Sequence, residues 1–396
     1  MKNILYLISQ PLDQRNYDRF GIQKWIDGGW KVEVWDLTPL SNPIAWKKYK
    51  QHRNKTENFR CCYTIENLKQ LGLKCKEIKN SKYLVDLAEE DIYAICINIF
   101  LKFKGMLRII NATGSIPLEE PPCFTKRFLN VIRKNPKIIF KKTCMWCLKK
   151  IFKRLIKPGL KVISGIESTN NTEQADRLIY AHNLDYDIYL EIKKNITPEP
   201  HYGIVFIDQN YCYHPDFDFM REQSQISPEQ YFPSICRALK SVANELNTSI
   251  CVALHPRSTY KNLDNMGFED ITVYQGITPH LIKNCEVIIT HDSTILQLAV
   301  LFEKPIIFIT THEIENSSII NGSIKTMAKS VGKIPINIDL NLSKFEWRNE
   351  IVINKEKYAD YKTKYIKTNG SPEKNSWDIL IDYINININP VFLKKE

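Results

Sequence analysis

The sequence predicts an α/β protein with two doubly wound domains, each a parallel sheet between helices. Short apolar runs alternate with segments whose apolar residues recur at helical spacing. Such alternation is typical of βαβ units and of a parallel sheet. It stops at the proline-rich residues 196–200 and then begins again. A chain of 396 residues suits two domains of this kind, and two such domains joined by a short linker define a cleft.

The first half of the chain predicts an N-terminal domain of residues 1–197. Residues 17–28 have apolar side chains at helical spacing and end at Gly28-Gly29, which predicts a helix. The strands expected in this half are residues 3–9, 31–37, 82–87, 92–99, 161–165 and 187–190.

The second half predicts a second domain of residues 198–345. Helices are expected at 228–246 and 293–301. The strands expected here are residues 202–207, 249–254, 272–274, 286–290 and 305–309. Residues 346–396 should form C-terminal helices that pack back across the cleft, one of them starting at Ser371 with Pro372 in its first turn.

Positive charge is concentrated in one segment. The formal net charge is +11, yet residues 124–161 contain 13 Lys or Arg and no Asp or Glu, leaving 42 of the 55 basic residues against 44 acidic ones elsewhere. Leu148, Ile151, Phe152 and Leu155 fall at helical spacing among basic residues. This pattern is typical of a basic amphipathic helix lying on an anionic membrane surface.

Two other interpretations of residues 124–161 remain open at this stage. The apolar stripe would equally suit a surface helix that packs on the core. Nucleic acid ranks lower as a partner, because no nucleic-acid-binding motif accompanies the basic residues. The sequence has no apolar run of the roughly 18 residues that a membrane span needs.

Eleven Cys residues are scattered without a repeating spacing. Cys144 and Cys147 form one CxxC pair, which supplies half of a zinc site. The start of the chain lacks a signal-peptide cleavage pattern. A reducing cytoplasm therefore fits best, with peripheral attachment to the inner face of the membrane through residues 124–161.

Two short apolar strands in the second half end in polar groups that suit a phosphate. Residues 249–254 run into His255-Pro256, and residues 286–290 run into His291-Asp292 just before a helix. Ligands bind beyond the carboxyl ends of strands in open α/β sheets, and helix N-termini attract anions. We expect a nucleotide to be bound by His255, Pro256, Arg257, Ser258, Ser293 and Thr294. The alternative is that His255 is a core histidine and that Asp292-Ser293 only caps the helix.

These strand ends, followed by Lys304-Pro305-Ile306-Ile307, resemble the C-terminal half of GT-B glycosyltransferases. The chain is most similar to the bacterial sialyltransferase and Kdo-transferase types, in which an HP dipeptide and a downstream Ser/Thr pair hold CMP. The resemblance implies a CMP-activated acidic sugar, of the nonulosonic or Kdo type, as donor. It implies no metal in the chemistry and no other cofactor. It covers residues 200–310 with motifs, and the first half only as architecture.

The acidic motif that carries the base in several sialyltransferase families is absent from the sequence. Asp208, which ends the strand at 202–207, is therefore the first candidate for the catalytic carboxylate, as general base or as nucleophile. His214 and Asp216 are second candidates. Glu167 and His182 in the first domain are candidates for contact with the acceptor or sugar, although a helix cap and a structural polar contact explain them equally well.

Three functions remain after these observations. The first is a glycosyltransferase that builds a capsule or lipopolysaccharide on a glycan or lipid-linked acceptor. The second is an enzyme that uses a UDP-sugar, as a GT-B transferase or as a UDP-sugar 2-epimerase. The third is a non-catalytic, membrane-associated binding protein. The sequence contains neither GxGxxG nor a Walker motif, which argues against a dinucleotide enzyme and an ATPase.

Overall fold

The structure, a computed structural model, describes most of the chain. The described residues are 2–52, 59–78, 81–117, 136–170, 174–194, 200–213, 224, 226–256, 258, 268, 270–343 and 345–387. They form two compact units. Unit 1 takes the described parts of Met1–Gly114, Glu120–His182 and Gly370–Glu396, and unit 2 takes those of Ser115–Glu119 and Asn183–Asn369.

Unit 1 contains a sheet of seven strands that all run parallel. The strands are β1 (Lys2–Ile8), β2 (Trp30–Asp36), β3 (Cys62–Thr64), β4 (Tyr83–Leu87), β5 (Leu107–Ala112), β6 (Leu160–Ser164) and β7 (Arg177–Ala181). Their order in the sheet is β3-β2-β1-β4-β5-β6-β7. This is a doubly wound sheet, because the chain first adds strands on one side of β1 and then on the other.

In the described part of unit 1, eight helices connect these strands. They are α1 (Gln14–Arg19), α2 (Ile22–Asp27), α3 (Thr38–Ser41), α4 (Pro43–His52), α5 (Leu68–Glu77), α6 (Ile92–Phe103), α7 (Pro136–Leu155) and α8 (Glu167–Asn170). The single helix predicted at 17–28 is divided into α1 and α2 at Gly21, which has φ 62°.

The strand predicted at residues 92–99 is wrong, because these residues form helix α6. Its run of apolar residues shows no alternation, so periodicity cannot separate a buried helix from a buried strand. The decisive feature is Asp91, whose Oδ1 accepts the N–H of Ala94 at 2.8 Å and caps the helix.

Unit 2 contains six parallel strands in a second doubly wound sheet. They are β8 (Ile204–Ile207), β9 (Ile250–Leu254), β10 (Thr272–Gln275), β11 (Val287–Thr290), β12 (Ile306–Thr310) and β13 (Ile336–Asn337). The sheet order is β10-β9-β8-β11-β12-β13. The α-helices in the described part of this unit are α9 (Leu184–Lys194), α10 (Pro228–Leu246), α11 (Thr278–Asn284), α12 (Leu296–Leu301), α13 (His312–Asn316), α14 (Ser318–Ser330) and α15 (Lys355–Tyr361).

The strand predicted at residues 187–190 is also wrong, since these residues lie inside α9. Asn183 caps this helix by accepting the N–H of Tyr186 at 3.0 Å. Acidic residues stand in the first turn and Lys193 and Lys194 in the last, a charge order that favours a helix through its dipole. The short apolar run within residues 187–190 resembles a strand, so the charge order of the whole helix was overlooked.

The last helix, α16 (Ser376–Asn387), belongs to unit 1. Trp377, Leu380 and Ile384 are buried in the same apolar cluster as residues of β1 and β2. The helix start predicted at Ser371 is wrong, because α16 begins five residues later. Asn375 takes the capping position there and accepts the N–H of Trp377 at 3.0 Å.

Helix α7 lies in the basic segment and packs on α6 through Phe152, which is buried with Ile95 and Ile156. None of the described helices is long and apolar enough to span a membrane.

Packing of Trp377 on α2 gives a first prediction. In Gly21→Ala, the new Cβ would overlap the Trp377 ring, and the backbone has φ 62°. Gly29→Ala is the matched control, because Gly29 has φ 77° with nothing within 4 Å of its Cβ position. Both variants should lose roughly 1–2 kcal/mol of unfolding free energy from the left-handed backbone. Gly21→Ala should lose about 1–3 kcal/mol more through overpacking, as urea unfolding would measure. Equal losses would show that α16 does not pack there.

Candidate active site

The strand order of unit 2 reverses its winding at the centre of the sheet. The first strand of this unit, β8, has the second strand, β9, on one side and the fourth, β11, on the other. In open α/β sheets, ligands bind beyond the carboxyl ends of the strands where the winding reverses. The residues predicted at 208, 255–258 and 293–294 follow β8, β9 and β11. Their described members therefore lie along one edge of this sheet.

Asp208 directly follows β8 and is buried, with 1% of its surface exposed. Its Oδ1 accepts the N–H of Asn210 at 3.0 Å. Asn210 has φ 56°, a left-handed conformation that Asn adopts more easily than most residues. The Asp208 carboxylate thus stabilises a tight turn at the strand end and is closed to solvent in this conformation.

The loop after β9 carries His255, which is half-buried, and the exposed Pro256. The N–H of Ser258 donates to the carbonyl oxygen of His255 at 2.9 Å. The side-chain amide of Gln275, at the end of β10, lies within hydrogen-bond distance of three carbonyl oxygens. They are those of His255 at 3.2 Å, Pro256 at 3.3 Å and Ser258 at 3.0 Å. Gln275, which the sequence analysis did not single out, therefore holds this loop.

His291 follows β11 and is completely buried. Its Nδ1 lies 2.7 Å from the carbonyl oxygen of Ile309 and its Nε2 lies 2.9 Å from the hydroxyl of Tyr231. Because a carbonyl only accepts, Nδ1 carries the proton and Nε2 accepts from Tyr231. Burial lowers the pKa of His291 to about 4, since the charged imidazolium loses its hydration. His291 is therefore neutral near pH 7 and cannot supply positive charge to a phosphate.

Asp292, the next residue, is partly exposed at the same edge. The hydroxyl of Tyr211 donates to its Oδ1. Burial, and then the nearby Asp292 carboxylate, raises the pKa of Tyr211 well above its ordinary value. Tyr211 therefore remains a hydrogen-bond donor and fixes the carboxylate. The sequence analysis selected the neighbours of Asp292 but not its carboxylate.

Ser293 and Thr294 lie in the turn that precedes α12. The helix begins at Leu296, three residues later than predicted. Carbonyl oxygens of Ser293 and Thr294 accept the N–H groups of Leu296 and Gln297 at 3.1 and 3.2 Å. Ser293 is half-buried and Thr294 is exposed, so the Thr294 hydroxyl is accessible at this edge.

Several buried polar atoms near this edge have no hydrogen-bond partner in the described part of the chain. They are Asn210 Oδ1, Ser258 Oγ, Thr290 Oγ1 and Thr310 Oγ1. Buried polar atoms in folded proteins are nearly always hydrogen-bonded. Unmet hydrogen-bonding capacity beside β8, β9, β11 and β12 suits an edge that binds a polar ligand.

The two candidates in unit 1 follow neighbouring strands. Glu167 is half-buried at the start of α8, after β6 and a turn at Gly165. His182 follows β7, is completely buried and has Nε2 2.7 Å from the carbonyl oxygen of Lys374. Glu167 can reach solvent, whereas His182 makes a structural contact.

Three predicted residues, His214, Asp216 and Arg257, lie outside the described residues. Within the described ranges, no group of three or more His, Cys, Asp or Glu side chains could hold a metal ion.

Several solved structures are similar to this chain over nearly its whole length. The glycotransferase of kitacinnamycin is 10% identical with a TM-score of 0.52, covering 97% of this chain and 98% of its own. A putative UDP-N-acetylglucosamine 2-epimerase from Listeria monocytogenes is 9% identical with a TM-score of 0.50, covering 98% and 97%. MnaA of S. aureus, in a co-structure with UDP, is 11% identical with a TM-score of 0.50, covering 97% and 96%.

No protein-family model and no curated protein matches the sequence. At 9–11% identity, the structural likeness concerns the fold alone. The predicted GT-B fold, with two doubly wound Rossmann-like domains, is confirmed.

The buried neutral His291 gives a second prediction. The unfolded chain takes up a proton on this residue below its ordinary pKa near 6.5, whereas the folded protein does so only near pH 4. The free energy of unfolding should therefore fall as pH drops from 6.5 towards 4, by up to about 3 kcal/mol from this group.

Urea unfolding at several pH values would measure this dependence. His291→Gln should be less stable at pH 7 but should lose part of the pH dependence. His201→Gln, at an exposed histidine, should keep the dependence of the wild type. Identical pH dependence in the wild type and His291→Gln would contradict the neutral buried imidazole.

Proposed function

We propose that the protein is a glycosyltransferase that takes a sugar from a nucleotide-activated donor. The observation that carries the proposal is the convergence of His255, Ser258, Ser293 and Thr294 at the winding reversal of the unit 2 sheet. A fold shared with a glycotransferase and with a structure containing UDP supports it. Fold alone does not define activity, so the proposal depends on these strand ends.

Two loops would hold the nucleotide. His255 offers a ring nitrogen to a phosphate or ribose, and Gln275 keeps its loop in place. Ser293 and Thr294 offer hydroxyl groups to a phosphate. Because His291 is neutral, it supplies no positive charge to the phosphates, and Arg257 in the other loop is the proposed bidentate clamp.

The donor that we propose first is a UDP-sugar. The resemblance of the sequence favours a CMP-activated nonulosonic or Kdo-type sugar. The names of two similar structures contain UDP, which favours the other donor class. A CMP-sugar is therefore the alternative donor, and the binding measurement below distinguishes it from a UDP-sugar.

The catalytic carboxylate that we now favour is Asp292. Asp208 was the first choice from sequence, but its carboxylate is buried and accepts a turn N–H. Asp292 is partly exposed, and Tyr211 fixes one of its oxygens. A positioned carboxylate of this kind can act as general base for an acceptor hydroxyl. His214 and Asp216 remain second candidates.

We propose a growing surface glycan, of a capsule or lipopolysaccharide, as the acceptor. Glu167 is the candidate contact in unit 1, because it is half-buried rather than enclosed. The reaction is proposed to proceed without a metal or another cofactor. A lipid-linked acceptor would be met at the inner face of the membrane, where we propose that the protein is peripherally bound.

A second candidate function is a UDP-sugar 2-epimerase. One observation favours it: a putative enzyme of this type shares the fold over 98% of this chain. An epimerase would change the configuration at C2 of the sugar, whereas a transferase releases UDP with each transfer. Product analysis after incubation with UDP-sugars therefore separates the two functions.

Nucleotide binding is the third prediction. UDP at about 100 times its dissociation constant should add about 2.7 kcal/mol to the unfolding free energy. His255→Ala should weaken UDP binding about tenfold, as expected for one lost hydrogen bond to a charged group. Thermal unfolding with UDP, CMP, GDP and ADP at matched concentrations measures both effects.

His201→Ala is the control, because His201 precedes β8 at the opposite end of the strand and is exposed. It should bind UDP like the wild type. Stabilisation by CMP alone would support the acidic-sugar donor. No stabilisation by any nucleotide would leave the non-catalytic binding protein as the better function.

The fourth prediction compares the two carboxylates. Asp292→Asn should lower kcat for UDP release from a UDP-sugar by about 100-fold or more, the usual effect of losing a general base. Its stabilisation by UDP should persist. Tyr211→Phe should lower kcat less, since the carboxylate remains but is no longer fixed.

Asp208→Asn is the matched variant at the same sheet edge. It should mainly lower the unfolding temperature, because the turn at Asn210 loses a charged acceptor. If Asp208→Asn abolishes turnover while Asp292→Asn retains it, the assignment of the base reverts to Asp208.

A further inference from the structure

Helix α7 presents two different apolar stripes. The inner stripe contains Phe152, with 2% of its surface exposed, and Met145 packs against the same cluster. The sequence grouped Phe152 with Leu148, Ile151 and Leu155 in one stripe. In the structure Phe152 faces the core, whereas the other three side chains do not.

The outer stripe consists of Leu148, Ile151 and Leu155, which are 40%, 54% and 59% exposed. At about 100° per residue, these three side chains lie within about 60° of one another around the helix axis. Single exposed apolar residues scattered over a surface are normal in proteins, whereas three large aliphatic side chains on one side of a surface helix form a patch.

The end of α6 lies beside the end of α7. Lys102 donates from Nζ to the carbonyl oxygen of Leu155, which brings the last turn of α6 against the last turn of α7. Phe103, the next residue, is 88% exposed. We call Leu148, Ile151 and Leu155 the outer apolar surface.

Arg154 borders this surface, about 60° around the helix axis from Ile151, and Lys150 lies about 40° further round. Lys150 and Arg154 are exposed on α7, and the Lys150 ammonium lies 4.1 Å from the ring centre of Trp146. Lys153 is paired with Glu90 at 3.0 Å, which ties that side of the helix to unit 1. No acidic residue occurs in residues 124–161, so every charged side chain of α7 itself is positive, and Glu90 offsets the charge of Lys153 only.

The combination of exposed aliphatic side chains and positive charge distinguishes between possible binding partners of the outer apolar surface. A second copy of the chain would bring two positive surfaces together, which like-charge repulsion opposes. Nucleic acid would use the cations but would gain little from Leu148, Ile151 and Leu155. An anionic bilayer uses both features, because aliphatic side chains enter the boundary of the acyl chains while Lys and Arg contact the headgroups.

We propose that the outer apolar surface and its basic border form a docking surface for an anionic lipid bilayer. This docking proposal depends on the proposed function in one respect only, the choice of the inner face of the membrane. The inner stripe, with Phe152, holds α7 to unit 1, and the outer stripe remains available for lipid. The axis of α7 would then lie in the plane of the bilayer surface.

The test is co-sedimentation of the full-length protein with vesicles. The protein should bind vesicles of phosphatidylcholine mixed with phosphatidylglycerol, bind weakly to phosphatidylcholine alone, and dissociate at high salt. The triple variant Leu148→Ser, Ile151→Ser and Leu155→Ser should lower the partition coefficient at least about tenfold. The double variant Lys150→Gln and Arg154→Gln should lower it about tenfold on anionic vesicles.

A matched control changes three apolar side chains of unit 2, Ile334, Leu340 and Val352, which are 81%, 58% and 65% exposed. Their triple serine variant should partition like the wild type. Thermal unfolding and stabilisation by UDP should be unchanged in the α7 variants, which shows that they fold. If stabilisation by UDP is absent even in the wild type while vesicle binding follows this pattern, the donor proposal fails and the docking surface stands.

Equal vesicle binding by the wild type and the α7 triple variant would overturn the proposal. So would equal binding to neutral and anionic vesicles. Sedimentation velocity tests the last alternative, self-association of the chain. A wild-type dimer that the triple variant converts to a monomer, without vesicle binding, would assign the outer apolar surface to self-association instead.

Discussion

The geometry at the carboxyl edge of unit 2 depends on one buried, neutral imidazole. His291 donates from Nδ1 to Ile309 of β12 and accepts at Nε2 from Tyr231 of α10. The end of β11 is thereby joined to a neighbouring strand and to a helix. Burial without both partners would leave a costly unpaired polar group. The orientation of Asp292 and of the following turn rests on this arrangement.

The sequence predicted the fold and the strand ends for a physical reason. Apolar runs bounded by polar turns define parallel strands, and the carboxyl ends of such strands are where ligands bind. The contacts of Tyr211 with Asp292 and of Gln275 with the loop at His255 were not predictable in this way. They join residues 81 and 20 positions apart, and no local spacing encodes such a pairing.

The errors have a common origin. Residues 92–99 and 187–190 are apolar enough for strands, yet capping by Asp91 and Asn183 makes them helical. For helix α7, the sequence pattern was also insufficient to predict which side chains of the apolar face are buried. Helical spacing identified an apolar side but could not tell that Phe152 contacts the core while Leu155 does not. The spacing of apolar residues predicts whether a segment is a helix or a strand. Which of its apolar side chains are buried depends on the core against which the segment packs.

The return of α16 to unit 1 sets an order for folding during synthesis. Trp377, Leu380 and Ile384 complete an apolar cluster that begins with β1, yet the ribosome makes them after all of unit 2. At typical rates of 5–20 residues per second, the interval between β1 and α16 is on the order of 20–75 s. Unit 2 can bury its own core within that time, whereas the unit 1 cluster that includes Trp377 cannot be completed until α16 is made. The face of β1 and β2 that α16 covers is therefore completed after unit 2, the reverse of the usual order from the N-terminus.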